Sequence, residues 1–139
     1  MSDSRKQTEY RGNCACGKVQ LLAKGDPMSQ QYCHCNGCRQ YHSAPFIGSL
    51  VFNSSNIEIV SGETKCFKVN NTPGLTRLSC ATCRTPVMNL PVNFQQIRST
   101  FPTLFKDVDF KPTMHIWWSH RTIKSELDEL PKYDAWAPM

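Results

Sequence analysis

The sequence predicts one mainly β domain with short helices, and three observations support this fold class. Only 40% of the 139 residues are apolar, so the core of such a domain is thin. Nine prolines and seven glycines restrict regular elements to short segments. Helical periodicity is poor, whereas several short runs are rich in β-branched and aromatic residues. Residues 1–9 are polar and predict a flexible tail, which leaves residues 10–139 as the domain.

The first half of the chain contains three predicted strands and one predicted helix. Residues 18–23 form a β-prone run that stops at a Gly-Asp-Pro turn. Residues 30–32 are a short strand that leads into a cluster of cysteines, and residues 36–42 give a short helix within that cluster. Residues 46–52 are apolar and β-prone, and a polar Asn-Ser-Ser-Asn segment ends them.

The second half predicts four more strands. Residues 57–60 alternate between apolar and polar side chains, and residues 66–69 and 75–79 flank an Asn-Asn-Thr-Pro-Gly turn. Residues 114–118 are an apolar, aromatic run that predicts a late strand, and residues 94–99 are predicted as a second short helix.

Seven of the eight cysteines fall into three close groups whose spacing suits a metal. Structural zinc takes four soft ligands in a tetrahedron, so two of the groups can build one closed site. The third group offers three thiolates and leaves a coordination position open, which is typical of a reactive zinc. We therefore expect two Zn²⁺ per chain. The closed set is Cys14, Cys16, Cys80 and Cys83, and the open set is Cys33, Cys35 and Cys38.

The remaining cysteine and two glycines have simpler expected roles. Cys66 lies in a β-prone run and is expected to be a buried, inert thiol. Gly17 and Gly37 follow or separate metal-ligand cysteines, where the backbone of a tight knuckle favours glycine.

Three other arrangements of the cysteines remain open. Disulfides would pair them two by two, although bridges within a C-x-C segment are strained. The open set could be a second structural site, completed by His34, His42 or His115. An iron–sulfur cluster is the third alternative, but the spacing matches neither common ferredoxin pattern.

Several motifs together resemble one protein family over roughly residues 10–134. The family is that of glutathione-dependent formaldehyde-activating enzymes, which also includes centromere protein V. Residues 11–19 resemble its G-x-C-x-C-G-x-V opening, 33–39 its C-H-C-x-x-C-R core, 44–46 its A-P-F, 80–83 its C-x-x-C, and 111–117 and 130–133 its C-terminal blocks.

This resemblance implies a fold, a cofactor and a reaction. The fold is of the Mss4-like type, in which small twisted antiparallel β-sheets surround zinc. The four-cysteine zinc is structural in the family and the three-cysteine zinc is catalytic. The family's named reaction joins formaldehyde to glutathione to give S-hydroxymethylglutathione, and its reverse is a carbon–sulfur lyase reaction. The partners implied are a small thiol such as glutathione and an aldehyde.

The chain departs from the family at three places. His42 and Ser43 stand where the family commonly has Ser-Gly before A-P-F, Arg84 replaces the usual Gly after C-x-x-C, and Ser79 replaces an aromatic residue. The first departure adjoins the presumed active zinc, so it bears on which substrate is used. Another small-molecule reaction, or a non-catalytic zinc-binding interaction module, is therefore the alternative function.

His42 and Arg39 are the candidate functional residues beside the open set. A histidine has an ordinary pKa near 6.5, so His42 is predicted to carry the proton that reaches the alkoxide. Arg39 is predicted to bind a substrate carboxylate through a bidentate pair, with Arg77 and Arg84 as weaker candidates.

The other histidines and the tryptophans are expected to be structural. The side chain of His34 is expected to point away from the metal. We expect His115 to be a hydrogen-bonded core residue and His120 to be exposed. The tryptophans should fill the thin core or its rim, where one could line a substrate pocket: Trp117, Trp118 and Trp136.

Composition and charge exclude some other classes of protein. The net charge of +5 is spread along the chain without a basic stripe, so no nucleic-acid partner is expected. The N-terminal segment lacks the apolar stretch of a secretion signal, and no run approaches the length that spans a membrane. We expect a cytoplasmic protein, where cysteines more often bind metal than form disulfides.

Overall fold

The computed structural model describes residues 7–62, 66–123 and 128–138, except for the side chains of Cys66 and Phe67. These described residues form ten strands and one α-helix, α1. The strands are β1 (Glu9–Asn13), β2 (Gln20–Lys24), β3 (Ser29–Cys33), β4 (Ile47–Asn53), β5 (Ile57–Ser61), β6 (Cys66–Thr72), β7 (Leu75–Cys80), β8 (Pro86–Pro91), β9 (Ile97–Thr100) and β10 (His115–Ile116), and α1 is Asn36–His42.

The strands form two sheets. A three-stranded antiparallel sheet has the order β1-β2-β5, and a seven-stranded sheet has the order β10-β3-β4-β9-β8-β7-β6. All pairs in the larger sheet are antiparallel except β10 with β3, which are parallel. The parallel pair brings the late part of the chain beside the cysteine-rich loop that follows β3.

One hydrophobic cluster draws its side chains from both sheets. Leu21 and Ala23 come from the small sheet, while Leu50, Phe52 and Val87 come from the large one, and all are buried. Apolar burial of this kind is the main favourable term in folding. The thin core therefore joins both sheets, and metal sites can add to it.

The predicted fold class is confirmed, and the seven predicted strands are present with ends shifted by a few residues. The predicted helix at Asn36–His42 has the observed bounds. The end of the last predicted strand differs, because Trp117 has a left-handed backbone with φ of 55° and starts a 3₁₀ turn over Trp118–His120.

The predicted helix over 94–99 is wrong. Ile97–Thr100 is β9, which pairs with β4, for example Thr100 with Leu50. Hydrogen bonds to a central strand outweigh the weak local helical preference of this polar segment. Strands β1 and β8 were not predicted.

The tail and domain bounds stay a prediction, although β1 begins at Glu9. Of the helices in the described ranges, none is long and apolar enough to cross a membrane.

Candidate metal centres

The four cysteines of the predicted closed set lie together where the two sheets meet. Cys14 and Cys16 are in the turn between β1 and β2, while Cys80 ends β7 and Cys83 lies in the turn before β8. The sulfur of Cys16 is 3.6 Å from that of Cys14 and 3.8 Å from that of Cys80. A tetrahedral zinc with Zn–S near 2.3 Å separates its sulfurs by about 3.8 Å, so the set fits this metal.

Backbone N–H groups support the sulfurs of this closed set. Val19 N–H donates to Cys14 Sγ at 3.3 Å, and Thr82 N–H donates to Cys80 Sγ at 3.4 Å. The two turns also bond to each other, because Ala15 N–H donates to Thr85 Oγ1 at 3.1 Å. Gly17 has φ of 81°, as expected for a knuckle glycine. The site therefore fastens the small sheet to the large one.

The three cysteines of the open set are close neighbours at the end of β3. Cys33 ends the strand, Cys35 is the N-cap of α1, and Cys38 lies within the helix. The sulfurs of Cys33 and Cys38 are 3.8 Å apart, again the separation expected around zinc. Cys38 N–H donates to Cys35 Sγ at 3.3 Å, so this ligand also caps the helix.

Within the part of the chain that the structure describes, no histidine nitrogen or carboxylate oxygen joins these three sulfurs. A second structural site completed by His34, His42 or His115 therefore lacks support. The seven described cysteines are free thiols, which argues against disulfides, and Cys66 lies outside the described side chains. The set can hold a metal ion and leave it a position for a ligand.

The three thiols of the open set titrate together. Hydrogen bonds with Cys33 and Cys38 lower the pKa of the Cys35 thiol well below its ordinary value. The bond with Cys35 in turn raises the pKa of the Cys33 thiol. The cluster can therefore supply a thiolate to a metal.

A buried hydrogen-bonded chain links the cysteine loop to the end of the protein. His34 Nε2 is 2.9 Å from His115 Nδ1, and His115 Nε2 is 3.1 Å from a carboxylate oxygen of Asp128. Because a carboxylate only accepts, His115 donates from Nε2, and its Nδ1 accepts a hydrogen bond from the Nε2–H of His34. His34 Nδ1 is then an acceptor, and it is buried without a hydrogen-bond partner.

This hydrogen-bonded series of side chains is consistent with a structural role for His34 and His115, both of which are fully buried. Sequence reasoning missed Asp128 although it lies just before the 130–133 motif, because only the fold brings it to His115. Burial opposes ionisation of Asp128, but hydrogen bonds from His115 and Lys132 outweigh it and lower the pKa of its carboxyl to about 2. The carboxylate therefore stays charged and fixes the orientation of both rings.

Arg39 lies against the ligand loop. Its Nε donates to the backbone oxygen of His34 at 3.1 Å, and its Nη2 donates to Asn36 Oδ1. A guanidinium carries five N–H donors, so these bonds leave others for a substrate carboxylate.

His42 ends α1 and is partly buried. Its ring packs edge-on against Phe101 with centroids 4.7 Å apart, and its buried Nε2 has no hydrogen-bond partner. Burial, assisted by the positive charge of Arg77, lowers the pKa of His42 to about 4. The imidazole is therefore neutral at neutral pH.

The remaining candidates differ in how closely they approach the open set. Arg77 is fully buried, and its Nη1 donates to Cys38 Sγ at 3.5 Å. His120 is partly buried rather than exposed, and its Nδ1 accepts from the backbone N–H of Asn36 at 3.3 Å. Trp117 contacts both His120 and the exposed Trp136, so these tryptophans form the rim beside the ligand loop.

Sequence comparison identifies relatives of this chain. The family model described as "Glutathione-dependent formaldehyde-activating enzyme" matches residues 9–120. An uncharacterized lyase of Schizosaccharomyces pombe is 28% identical over 101 residues, which are 73% of this chain and 72% of the yeast protein.

Structural comparison gives the same architecture. A crystal structure of a Rhodobacter sphaeroides protein superimposes with a TM-score of 0.60 at 15% identity, over 71% of this chain and 90% of that one. At this identity the likeness concerns the fold alone.

Proposed function

The chain belongs to the glutathione-dependent formaldehyde-activating enzyme family, and from this premise we propose that it is a zinc-dependent carbon–sulfur lyase. The proposed reaction adds a small thiol such as glutathione to an aldehyde such as formaldehyde, or runs in reverse. One observation carries the proposal: three convergent cysteine sulfurs lack a fourth protein ligand among the described residues, beside a complete four-cysteine set.

The donor sets suit two zinc ions with different roles. Thiolates are preferred ligands of zinc, and the sulfur separations of 3.6 to 3.8 Å fit a tetrahedral ion. In the proposed assignment, Cys14, Cys16, Cys80 and Cys83 hold a structural zinc, and Cys33, Cys35 and Cys38 hold the catalytic one. A zinc at the open set would favour the thiolate form of a substrate thiol near neutral pH.

Two residues of the chain would then transfer one proton and bind the negative charge of the substrate. A thiol adds to formaldehyde by forming a carbon–sulfur bond, while its proton moves to the former carbonyl oxygen. We propose that His42, which is neutral at neutral pH, accepts this proton at Nε2 and returns it to the developing alkoxide. Arg39 would hold a carboxylate of the thiol substrate with its remaining N–H groups.

Exchange NMR on a mixture of formaldehyde and glutathione tests the activity. The uncatalysed reaction is measurable, so only an acceleration that requires the metal counts. We expect faster exchange with the zinc-loaded protein, and loss of the acceleration in Cys35→Ser. An unaccelerated exchange would contradict glutathione and formaldehyde as substrates. The same measurement would then be made with other thiols and aldehydes. The replacement of the family's Ser-Gly by His42 and Ser43 is the specific reason to include them.

A further inference from the structure

The side chain of Arg77 has an unusual setting that the proposed reaction does not use. It is completely buried on β7, and its three nitrogens all donate hydrogen bonds. Nε donates to Asn71 Oδ1 at 2.7 Å, Nη2 to Thr72 Oγ1 at 3.0 Å, and Nη1 to Cys38 Sγ at 3.5 Å. None of these partners is a carboxylate, and the ion pairs between described residues do not include Arg77.

A buried guanidinium needs a compensating negative charge. Removing an ion from water without a counterion is strongly unfavourable, so buried arginines are normally paired with acids. Through Cys38, Arg77 contacts the open cysteine set, which becomes anionic when its thiols lose their protons to bind a metal. Three thiolates around a divalent ion leave a formal charge of −1, which one guanidinium balances. The charges on the two sides of the contact therefore match.

The surrounding backbone is shaped to bring Arg77 to this position. A Cβ at Gly37 would lie 2.9 Å from Arg77 Nη2 and would collide with Thr72 Oγ1. Asn71 Nδ2 donates to the backbone oxygen of Gly37 at 3.0 Å, and this holds the tip of the β6–β7 hairpin on α1. Gly37 thus allows Thr72 and Arg77 to lie close to α1, and it does not have the unusual backbone angle predicted for it.

We propose that Arg77 is a positioning residue for the open metal centre: its buried guanidinium balances the surplus thiolate charge and retains the metal through its contact with Cys38. This rests on the proposed function only in taking Cys33, Cys35 and Cys38 as ligands. A hydrogen bond to a thiolate sulfur also withdraws electron density from it, so Arg77 tunes how strongly Cys38 donates to the metal.

The test measures how fast a chelator removes zinc from the fully loaded protein. In Arg77→Met, which keeps an unbranched apolar stem but loses the charge and the donors, one of two zinc equivalents should leave about 10- to 100-fold faster, the range for loss of a hydrogen-bond partner of a metal ligand. The second equivalent should keep its wild-type rate. Arg77→Lys keeps the charge without the planar fork. Its release rate for the faster equivalent should lie between those of the wild type and of Arg77→Met. Arg98→Met on β9 is the matched control and should match the wild type.

Two further measurements separate this role from folding and from catalysis. Cobalt-loaded Arg77→Met should show shifted sulfur-to-cobalt charge-transfer bands. In a Cys35→Ser background, Arg77→Met should leave release of the remaining equivalent unchanged. Equal release rates in wild type and Arg77→Met, loss of both equivalents, or a wild type with fewer than two would each overturn the proposal. Absence of formaldehyde–glutathione catalysis would overturn only the proposed function, because metal release is measured without substrate.

Discussion

Two non-glycine residues hold a left-handed backbone next to the metal centres. Ser43 has φ of 51° directly after α1, and Arg84 has φ of 67° directly after Cys83. These are the positions where the resembling family commonly has glycine. For other residues the left-handed region costs roughly 1–2 kcal/mol, because Cβ approaches the following carbonyl oxygen. Two of the departures noted in the sequence, Ser43 and Arg84, are therefore sites of local strain at the ends of ligand-bearing segments.

Ser43→Gly should stabilise the protein. Glycine removes the Cβ clash at the C-terminus of α1, while its greater freedom in the unfolded chain offsets part of the gain. We expect the free energy of unfolding to rise by about 0.5–1 kcal/mol, measured by denaturant titration of the zinc-loaded protein. Ser54→Gly, in a 3₁₀ turn with ordinary backbone angles, is the control and should lose stability. A loss in both variants would contradict strain at Ser43.

The lowered pKa of His42 predicts a pH dependence of stability. The folded protein holds this imidazole neutral down to about pH 4, whereas the unfolded chain protonates it below about 6.5. Between these values the unfolded state binds more protons, so the contribution of His42 falls as pH falls, by at most about 1.4 kcal/mol per pH unit.

Comparing wild type with His42→Gln isolates this residue, because all other groups titrate in both proteins. The difference in unfolding free energy should change between pH 7 and pH 4.5 in the direction that favours the variant at low pH. A difference that stays constant over this range would show that the folded state does not depress the pKa of His42.

At the scale of elements, a helix or strand could be predicted from the sequence when the contacts that determine it are local. The bounds of α1 could be predicted because its N-cap, Cys35, and its polar end are encoded within the segment itself. Strand β9 could not, because its pairing with β4 depends on residues about fifty positions away. The two cysteine sets were predictable from spacing, whereas the approach of Arg77 and Asp128 to the ligand loop depends on the hairpin and on the parallel β10–β3 pair.

Asp128→Ala should destabilise the joint between β3, β10 and the C-terminal segment. His115 is fully buried, and without the carboxylate its Nε2–H loses its acceptor. An unsatisfied buried donor costs about 1–3 kcal/mol. Denaturant titration should show a lower free energy of unfolding for Asp128→Ala than for the control variant Asp109→Ala. Asp109 pairs with Lys111 on the surface, where both are more than three-quarters exposed, and should matter little. Similar losses in both would contradict the role given to the histidine chain.

At the scale of the whole molecule, the two metal centres should respond differently to loss of a ligand. Cys80 helps to join the two sheets, so Cys80→Ser should unfold the domain, because structural zinc supplies folding free energy directly. Cys35 serves one loop, so Cys35→Ser should keep the fold and bind one metal equivalent instead of two. Elemental analysis and circular dichroism measure both properties. If both variants lose the fold, or both retain it, the division into structural and reactive sites is wrong.

The joining of distant segments also governs how a newly made chain acquires its structure. Cys16 can contact Cys80 only after 64 more residues are synthesised, and His34 can contact His115 only after 81 more. Contacts between such distant residues make folding slow. In a chain leaving the ribosome, Cys14 and Cys16 therefore stay without the other two members of their set until Cys80 and Cys83 are made. Under the proposed assignment, zinc bound once the set is complete would shield these thiolates from oxidants, which attack the nascent chain more readily.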